Sequence, residues 1–179
     1  MATPQKFEYE TLVIGLIYAD EELLETVKTE LEALYGEIDS ESEKYSFSDF
    51  SGYYDGEAGG TVCRQFVSFK APVDPSRLAE IKLMTNDLEL THEGATGRRV
   101  NIDPGLIGHG KYVMATTKNA SWRIPLEKGI YAELTLSYAR KRWNDFYWTY
   151  CDVKSERVKA YLAGVRKIYL AQRKEFEKA

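Results

Sequence analysis

A chain of 179 residues fits one domain and has enough apolar surface to fold without disulfide or metal staples. Its 44% apolar and 29% charged residues exclude an intrinsically disordered polymer. A formal net charge of −4 excludes a general nucleic-acid binder, whose electrostatic footprint is basic.

Tyrosine is over-represented, with 13 against 7 phenylalanines and 3 tryptophans. Aromatic rings with a polar tip suit half-buried sheet faces, clefts and interfaces. Cys63 and Cys151 lack CxxC spacing and sit among aromatics, so reduced, partly buried thiols are expected rather than a disulfide or zinc site. MATPQKFEYE has no signal-peptide pattern and no apolar run nears the roughly 18 residues of a membrane span. A cytoplasmic protein with no membrane association is expected.

In chain order, LVIGLIY (Leu12–Tyr18) is a continuous β-branched run, the pattern of a strand buried on both faces. Asp20 then caps a helix whose apolar positions Leu23, Leu24, Val27, Leu31 and Leu34 repeat at helical spacing, with Gly36 as its C-cap. EIDSESEK is acidic and expected to be exposed. YSFSDFSGYY places aromatics at alternate positions like a strand, and DGEAGG is expected to close it as a turn. A strand follows over Thr61–Lys70. Asp74-Pro75 starts a helix running to about Glu89, with Leu78, Ile81, Met84 and Leu88 on its core face. Lys82, Thr85, Asn86 and Glu89 form an adjacent polar stripe, expected to be a solvated face.

THEGATGRR is a loop, and a strand follows it. The order strand, helix, strand, strand, helix, strand is that of the ferredoxin-like split βαβ. Further strands are expected at Tyr112–Thr117, Ser121–Ile124 and Ile130–Tyr138. The last alternates Ile130, Ala132, Leu134 and Leu136 against Tyr131, Glu133, Thr135 and Ser137. RKRWNDFYWTYCDV is an aromatic crossover, and Ser155–Phe176 is an amphipathic helix. The expected fold is thus α+β: one domain over residues 1–179, core 11–176, with a ferredoxin-like βαββαβ first half extended by C-terminal antiparallel strands and a C-terminal helix.

GLIGHGK (Gly105–Lys111) has the spacing of a phosphate-binding P-loop, but Tyr112 stands where such a loop needs Ser or Thr. KYVMATT also continues as a strand, not a helix. A glycine-rich connection after an Asp103-Pro104-Gly105 turn explains it better. The carboxylates Asp55, Glu57, Asp103 and Glu133 are oxygen donors suited to magnesium or to general-base chemistry. Against that, Glu133 reads more simply as an exposed cross-strand partner of Arg123. The cations Arg64, Lys82, Arg98, Arg99, Lys118 and Arg123 include arginine beside Thr and Asn donors, the chemistry that recognises phosphate or carboxylate by forked hydrogen bonds. His92 and His109 fall in loops, and no nucleophile-histidine motif accompanies them.

Taken together, GYYDGEAGG, RQFVSF, IKLMTNDLE, VNIDPGLI, VMATTKN, GIYAELTL and WTY resemble a bacterial and archaeal family known as domain of unknown function 4416, over Thr11 to Tyr169. In that family's pattern a histidine precedes the arginine after ATTKN. Here Trp122 precedes Arg123, so no histidine role carries over. A W-T-Y-P-D pattern also departs, with Cys151 in place of the proline. The resemblance implies no particular activity.

The functional expectation is therefore a site for an anionic, phosphorylated small molecule or nucleotide. Arg64, Lys118, Arg123, Tyr131 and Asn101 would bind it. In the stronger, enzymatic form, Glu133 and Asp103 supply the catalytic carboxylates and hold a magnesium ion. Arg123 and Glu133 are expected on one sheet face opposite the core, with Trp122 and Ile124 pointing to the other. The alternative is a non-catalytic module binding a protein partner through its tyrosine-rich surface and C-terminal helix.

Overall fold

A computed structural model describes residues 2–176, with side chains from 2 to 173. Its strands are β1 (Glu10–Tyr18), β2 (Ile38–Glu41), β3 (Tyr45–Ser46), β4 (Cys63–Val73), β5 (Val100–Ile107), β6 (Lys111–Thr116), β7 (Ile124–Pro125), β8 (Tyr131–Ala139) and β9 (Arg142–Asp145). The helices are α1 (Glu21–Tyr35), α2 (Asp55–Ala58), α3 (Leu78–Thr91) and α4 (Glu156–Phe176), with a 3-10 turn at Pro75–Arg77. The expected ends of the domain, residues 1 and 177–179, lie outside the described residues.

The continuous apolar run of β1 makes it the centre of the fold, because only a strand covered on both faces has use for it. Every residue of β1 is buried, between β4 and β5. All strands join one antiparallel sheet in the order β2-β4-β1-β5-β6-β8-β7, with β3 on β4 and β9 on β8. Its first half, β5-β1-β4-β2, is the ferredoxin-like order expected from the sequence. Leu12, Ile14, Leu16 and Tyr18 of β1 face α1 and α3, whose Leu24, Val27, Leu31, Leu78 and Ile81 complete that core. Val13 faces the other side, in a second core with Phe66, Met114 and Leu136 and with Val158, Leu162 and Val165 of α4.

Local chemistry sets the helix ends. Asp20 accepts from the N–H groups of Glu22 and Leu23 at 2.9 and 3.2 Å, satisfying two orphan donors of α1. Gly36, at φ 89°, ends the helix by donating to Glu32 O. Leu34 of the expected stripe is exposed, and Tyr35 takes the buried position instead.

Six local expectations are corrected. The second strand lies in the acidic EIDSESEK segment as β2, since Ile38 and Ser40 pair with Phe69 and Ser68. YSFSDFSGYY pairs only at Tyr45 and Ser46. The N–H groups of Phe50 and Ser51 both donate to Phe47 O, which turns the chain, and DGEA becomes the short helix α2. Asp103-Pro104-Gly105 is no turn but the middle of β5, and the chain reverses later, at His109-Gly110, where Gly108 N–H donates to Lys111 O. GLIGHGK is thus a β-hairpin. In β8 a bulge leaves Thr135 between the pairs Val113–Leu134 and Tyr112–Leu136. Leu136 consequently enters the α4-side core while Ala132 packs on the opposite core, so the clean alternation is broken. Finally, Cys151 is exposed rather than partly buried, whereas Cys63 is half-buried as expected.

The connection between β8 and β9 has two residues, Arg140 and Lys141, both at positive φ (54° and 63°). Two-residue hairpins need this backbone, but side chains other than Gly, Asn and Asp resist it. Replacing the pair with Asn-Gly (R140N/K141G) is expected to stabilise the fold by about 1–2 kcal/mol. Urea unfolding of the two proteins checks this, and an unchanged midpoint would refute it.

Candidate functional site

The sheet forks between β5 and β6. These strands pair only near their hairpin, at Gly105–Met114, Leu106–Val113 and Ile107–Tyr112. Toward Val100 they separate, and Ile102 loses a strand neighbour on that side. Its N–H donates instead to Glu89 Oε1 at 2.7 Å, and its C=O accepts from Lys82 Nζ at 2.8 Å. A buried backbone needs such partners, so the stripe of α3 faces inward. Lys82, Thr85 and Glu89 are each 6% exposed or less, which corrects the expectation of a solvated face.

A cleft of about 530 Å³ opens in this fork. Its floor is formed by side chains that the antiparallel register places on the α4 side of the sheet. Gly15 is paired with both Phe66 and Asp103, and Ile17 with both Arg64 and Asn101. Arg64 is 3% exposed. Its guanidinium lies over the Phe66 ring, 4.6 Å from the centroid, between Asp152 at 3.2 Å and Asp103 at 3.4 Å. A Cβ on Gly15 would collide with Arg64 Nη2, so the glycine makes room for the guanidinium. Asp152 is also held by Tyr45 Oη at 2.9 Å, and Asp103 by Asn101 Nδ2 at 2.7 Å. Around them, Lys82 lies 3.7 Å from Asp103 and 3.8 Å from Glu89. Arg98 pairs with Glu57 at 2.9 Å and approaches Glu89 at 3.7 Å.

Two segments wall the cleft. The turn after β3 and the start of α2 contribute Phe47, Phe50, Tyr53 and Tyr54, and the crossover before α4 contributes Trp148, Tyr150 and Cys151. The first is tied down where Glu57 meets Arg98 and where Thr96 Oγ1 donates to Glu57 O. At the mouth, Lys118 Nζ lies 4.8 Å from the Tyr53 ring centroid. Burial perturbs several of these groups. It raises the Glu89 carboxyl, with Lys82 and the Ile102 N–H opposing, and it pushes the Tyr150 phenol up to about 12, reinforced by Glu133 and Asp103. For Arg64, burial opposes the charge, but Asp152 and Asp103 outweigh it and raise the pKa.

Of the residues expected at the site, Arg64, Asn101, Asp103 and Lys118 line this cleft. Arg123 and Glu133 form a pair at 2.7 Å beside it, and Arg123 is joined to the cleft wall through Tyr150 Oη at 3.2 Å and Lys118 O at 2.7 Å. Their setting differs from the expectation. Glu133 is 1% exposed, opposite Met114 on the α4-side face, rather than on a face away from the core. Arg123 precedes β7 in a turn, and Trp122 does not point away, because its Nε1 donates to the same Glu133 Oε2 at 3.2 Å. Tyr131 is not among the lining residues. Asp103 and Glu133 have separate partners, and no group of three or more His, Cys, Asp or Glu side chains suited to a metal occurs among the described residues. Glu89, Asp152 and the aromatic walls were not expected at the site, and Lys82 and Arg98, named among the candidate cations, were not assigned to it. The available signal was that leucines and isoleucine flank the polar stripe of α3 on every side.

An α+β protein whose forked antiparallel sheet holds a mixed-charge, aromatic-walled cleft is the class these features define. The chain matches the family described as a domain of unknown function (DUF4416) over residues 8–169, and it belongs to that family. No curated protein matches it, and neither does any solved structure.

Two tests follow from the buried charges. Asp152→Ala removes one neutralising group from Arg64 and the acceptor of Tyr45, so a loss of about 3–5 kcal/mol is expected in denaturant unfolding, against under about 0.5 kcal/mol for the exposed Glu43→Ala. Equal losses would refute the role of the pair. The Glu89 carboxyl is raised above its ordinary value of 4.5. The native state then keeps this proton where the unfolded chain has released it, so its contribution to stability falls as pH rises above that value and levels off past the native pKa. The stability of Glu89→Gln relative to the natural protein should therefore grow with pH across this window. A difference independent of pH would show that the carboxyl is not raised.

Proposed function

We propose that the forked cleft binds an anionic, phosphorylated small molecule or nucleotide. One observation carries the reading. Lys118 stands exposed at the cleft mouth with the Tyr53 hydroxyl 3.4 Å from its Nζ, and among the described residues no carboxylate lies within ion-pair distance of it. An ammonium at the rim of a concave, largely aromatic site is a ready partner for a ligand anion. The cleft volume suits a ligand of that size. A cytoplasmic, prokaryotic setting goes with this proposal, and two cysteines left as free thiols suit a reducing compartment. No helix among the described residues is long and apolar enough to cross a membrane.

A second reading rests on a different surface. Tyr147 is 76% exposed, and Ile124 and Leu126 are exposed on nearby segments packed against β8, which suits a protein partner. A thermal-shift screen of nucleotides, sugar phosphates and inorganic phosphate separates the two. A true ligand at a hundredfold excess over its Kd stabilises the protein by about 2.7 kcal/mol, and Lys118→Ala should weaken its binding about tenfold or more. Silence across the panel, with the protein folded, would reject the cleft reading in favour of the partner surface.

A further inference from the structure

Resting on that reading, we infer the direction in which the ligand lies. Its anionic group sits at the rim on Lys118, and an uncharged ring bearing O–H or N–H donors fills the floor against Asp103 and Asn86.

The floor is electrostatically closed to an anion. Its three cations already face four carboxylates: Arg64 has Asp103 and Asp152, Lys82 has Asp103 and Glu89, and Arg98 has Glu89 and Glu57. A phosphate placed there would have to break buried ion pairs and would leave carboxylates uncompensated at close range, which costs more than the new contact returns. The rim has the opposite character, since Lys118 is open to a ligand.

What the floor offers instead is hydrogen-bonding capacity for a neutral group. Asp103 Oδ2 is taken by Asn101 at 2.7 Å and approached by Arg64. Asp103 Oδ1, by contrast, has Lys82 only at 3.7 Å, beyond hydrogen-bond reach, so it remains an acceptor. The Asp103 side chain is 22% exposed and lines the cleft. Asn86 on α3 lines it too, and among the described residues its amide has no hydrogen-bond partner, so it can donate and accept at once. An acceptor-only carboxylate rejects a bare phosphate and selects a hydroxyl or ring N–H. Tyr54, Tyr150 and Trp148 provide flat apolar walls for the ring that carries it. Phosphorylated sugars and nucleoside monophosphates share this chemistry, a donor-bearing ring joined to a phosphate.

Calorimetric titration of the full chain with a hexose phosphate, a pentose phosphate and nucleoside monophosphates, each beside its unphosphorylated counterpart and inorganic phosphate, tests the inference. One phosphorylated ring should bind at least tenfold tighter than both its unphosphorylated form and inorganic phosphate, and whether it is a sugar or a nucleoside identifies the source. Lys118→Ala should erase that tenfold advantage while leaving the unphosphorylated ring within about twofold. Asn86→Ala, which removes no ion pair, should weaken both forms of the ring equally, by fivefold or more, and preserve the advantage. Asp103→Asn should do the same where it folds. If phosphorylated rings bind but Lys118→Ala leaves their affinity intact while Lys82→Met abolishes it, the direction is wrong although the cleft still binds anions. If inorganic phosphate binds as tightly as any ring, the floor recognises no ring and the inference fails. If nothing in the panel binds the folded protein, the inference falls together with the proposed function.

Discussion

A guanidinium buried in the middle of a sheet has to be neutralised where it stands, and much of this molecule is arranged around that requirement. Arg64 projects from β4, so its two carboxylate partners must come from elsewhere: Asp103 from the same face of β5, across β1, and Asp152 from the crossover ahead of α4. The second pairing joins residues far apart in sequence and fixes where the crossover lies, with Tyr45 reaching the same carboxylate from β3. Phe66 and Phe47 both lie against the cation, and the absence of a side chain on Gly15 leaves room for it. Breaking such an arrangement at one point is far more costly than its net contribution to folding, because the remaining charge has no water to turn to.

The fork between β5 and β6 has a similar logic. A sheet that opens leaves backbone groups without partners, and here a helix supplies them with the ends of two long side chains. Lys82 and Glu89 occupy α3 two turns apart and bracket one peptide segment at Ile102. The cleft is thus a consequence of strand divergence made tolerable by a charged pair, and the charges that permit the opening also line it. This couples the site to the stability of the fold: Asp103, Lys82 and Glu89 each serve a structural partner before any ligand arrives.

Much of the architecture was legible in the sequence because it follows from local periodicity. The buried run of β1, the Asp20 cap and the spacing of α4 required only patterns of two and 3.6 residues. The failures have a common cause, in that a non-local partner overrode the local pattern. On α3 the helical period separates polar from apolar correctly, yet it contains nothing about a missing strand beside Ile102, so the polar stripe was assigned to solvent. In YSFSDFSGYY the alternation of aromatics is real, but the glycine and serines favour turning, and the rings Phe47, Phe50, Tyr53 and Tyr54 end up as a wall rather than a strand face. The Arg123–Glu133 contact was readable from the length of the intervening turn. Its burial was not, because the bulge at Thr135 and the inward tilt of Trp122 depend on the packing of the crossover. Asp152 was invisible as a site residue, since only the folded chain brings it to Arg64.

The aromatic packing behind the cleft carries a spectroscopic consequence. Trp122, Trp148 and Phe146 form a stack of nearly parallel rings, with Trp122 and Trp148 inclined by 11° at 5.8 Å and Trp148 and Phe146 by 2° at 4.7 Å. Two indoles held this close are excitonically coupled, so their transitions split and give the protein an optical activity that isolated tryptophans lack. Trp148 is also a wall of the cleft, while the third tryptophan, Trp143, is buried against Tyr138 away from it. A molecule entering the cleft perturbs one member of the coupled pair and leaves Trp143 as an internal reference. The protein therefore contains its own chiroptical gauge of occupancy, readable by circular dichroism without any label.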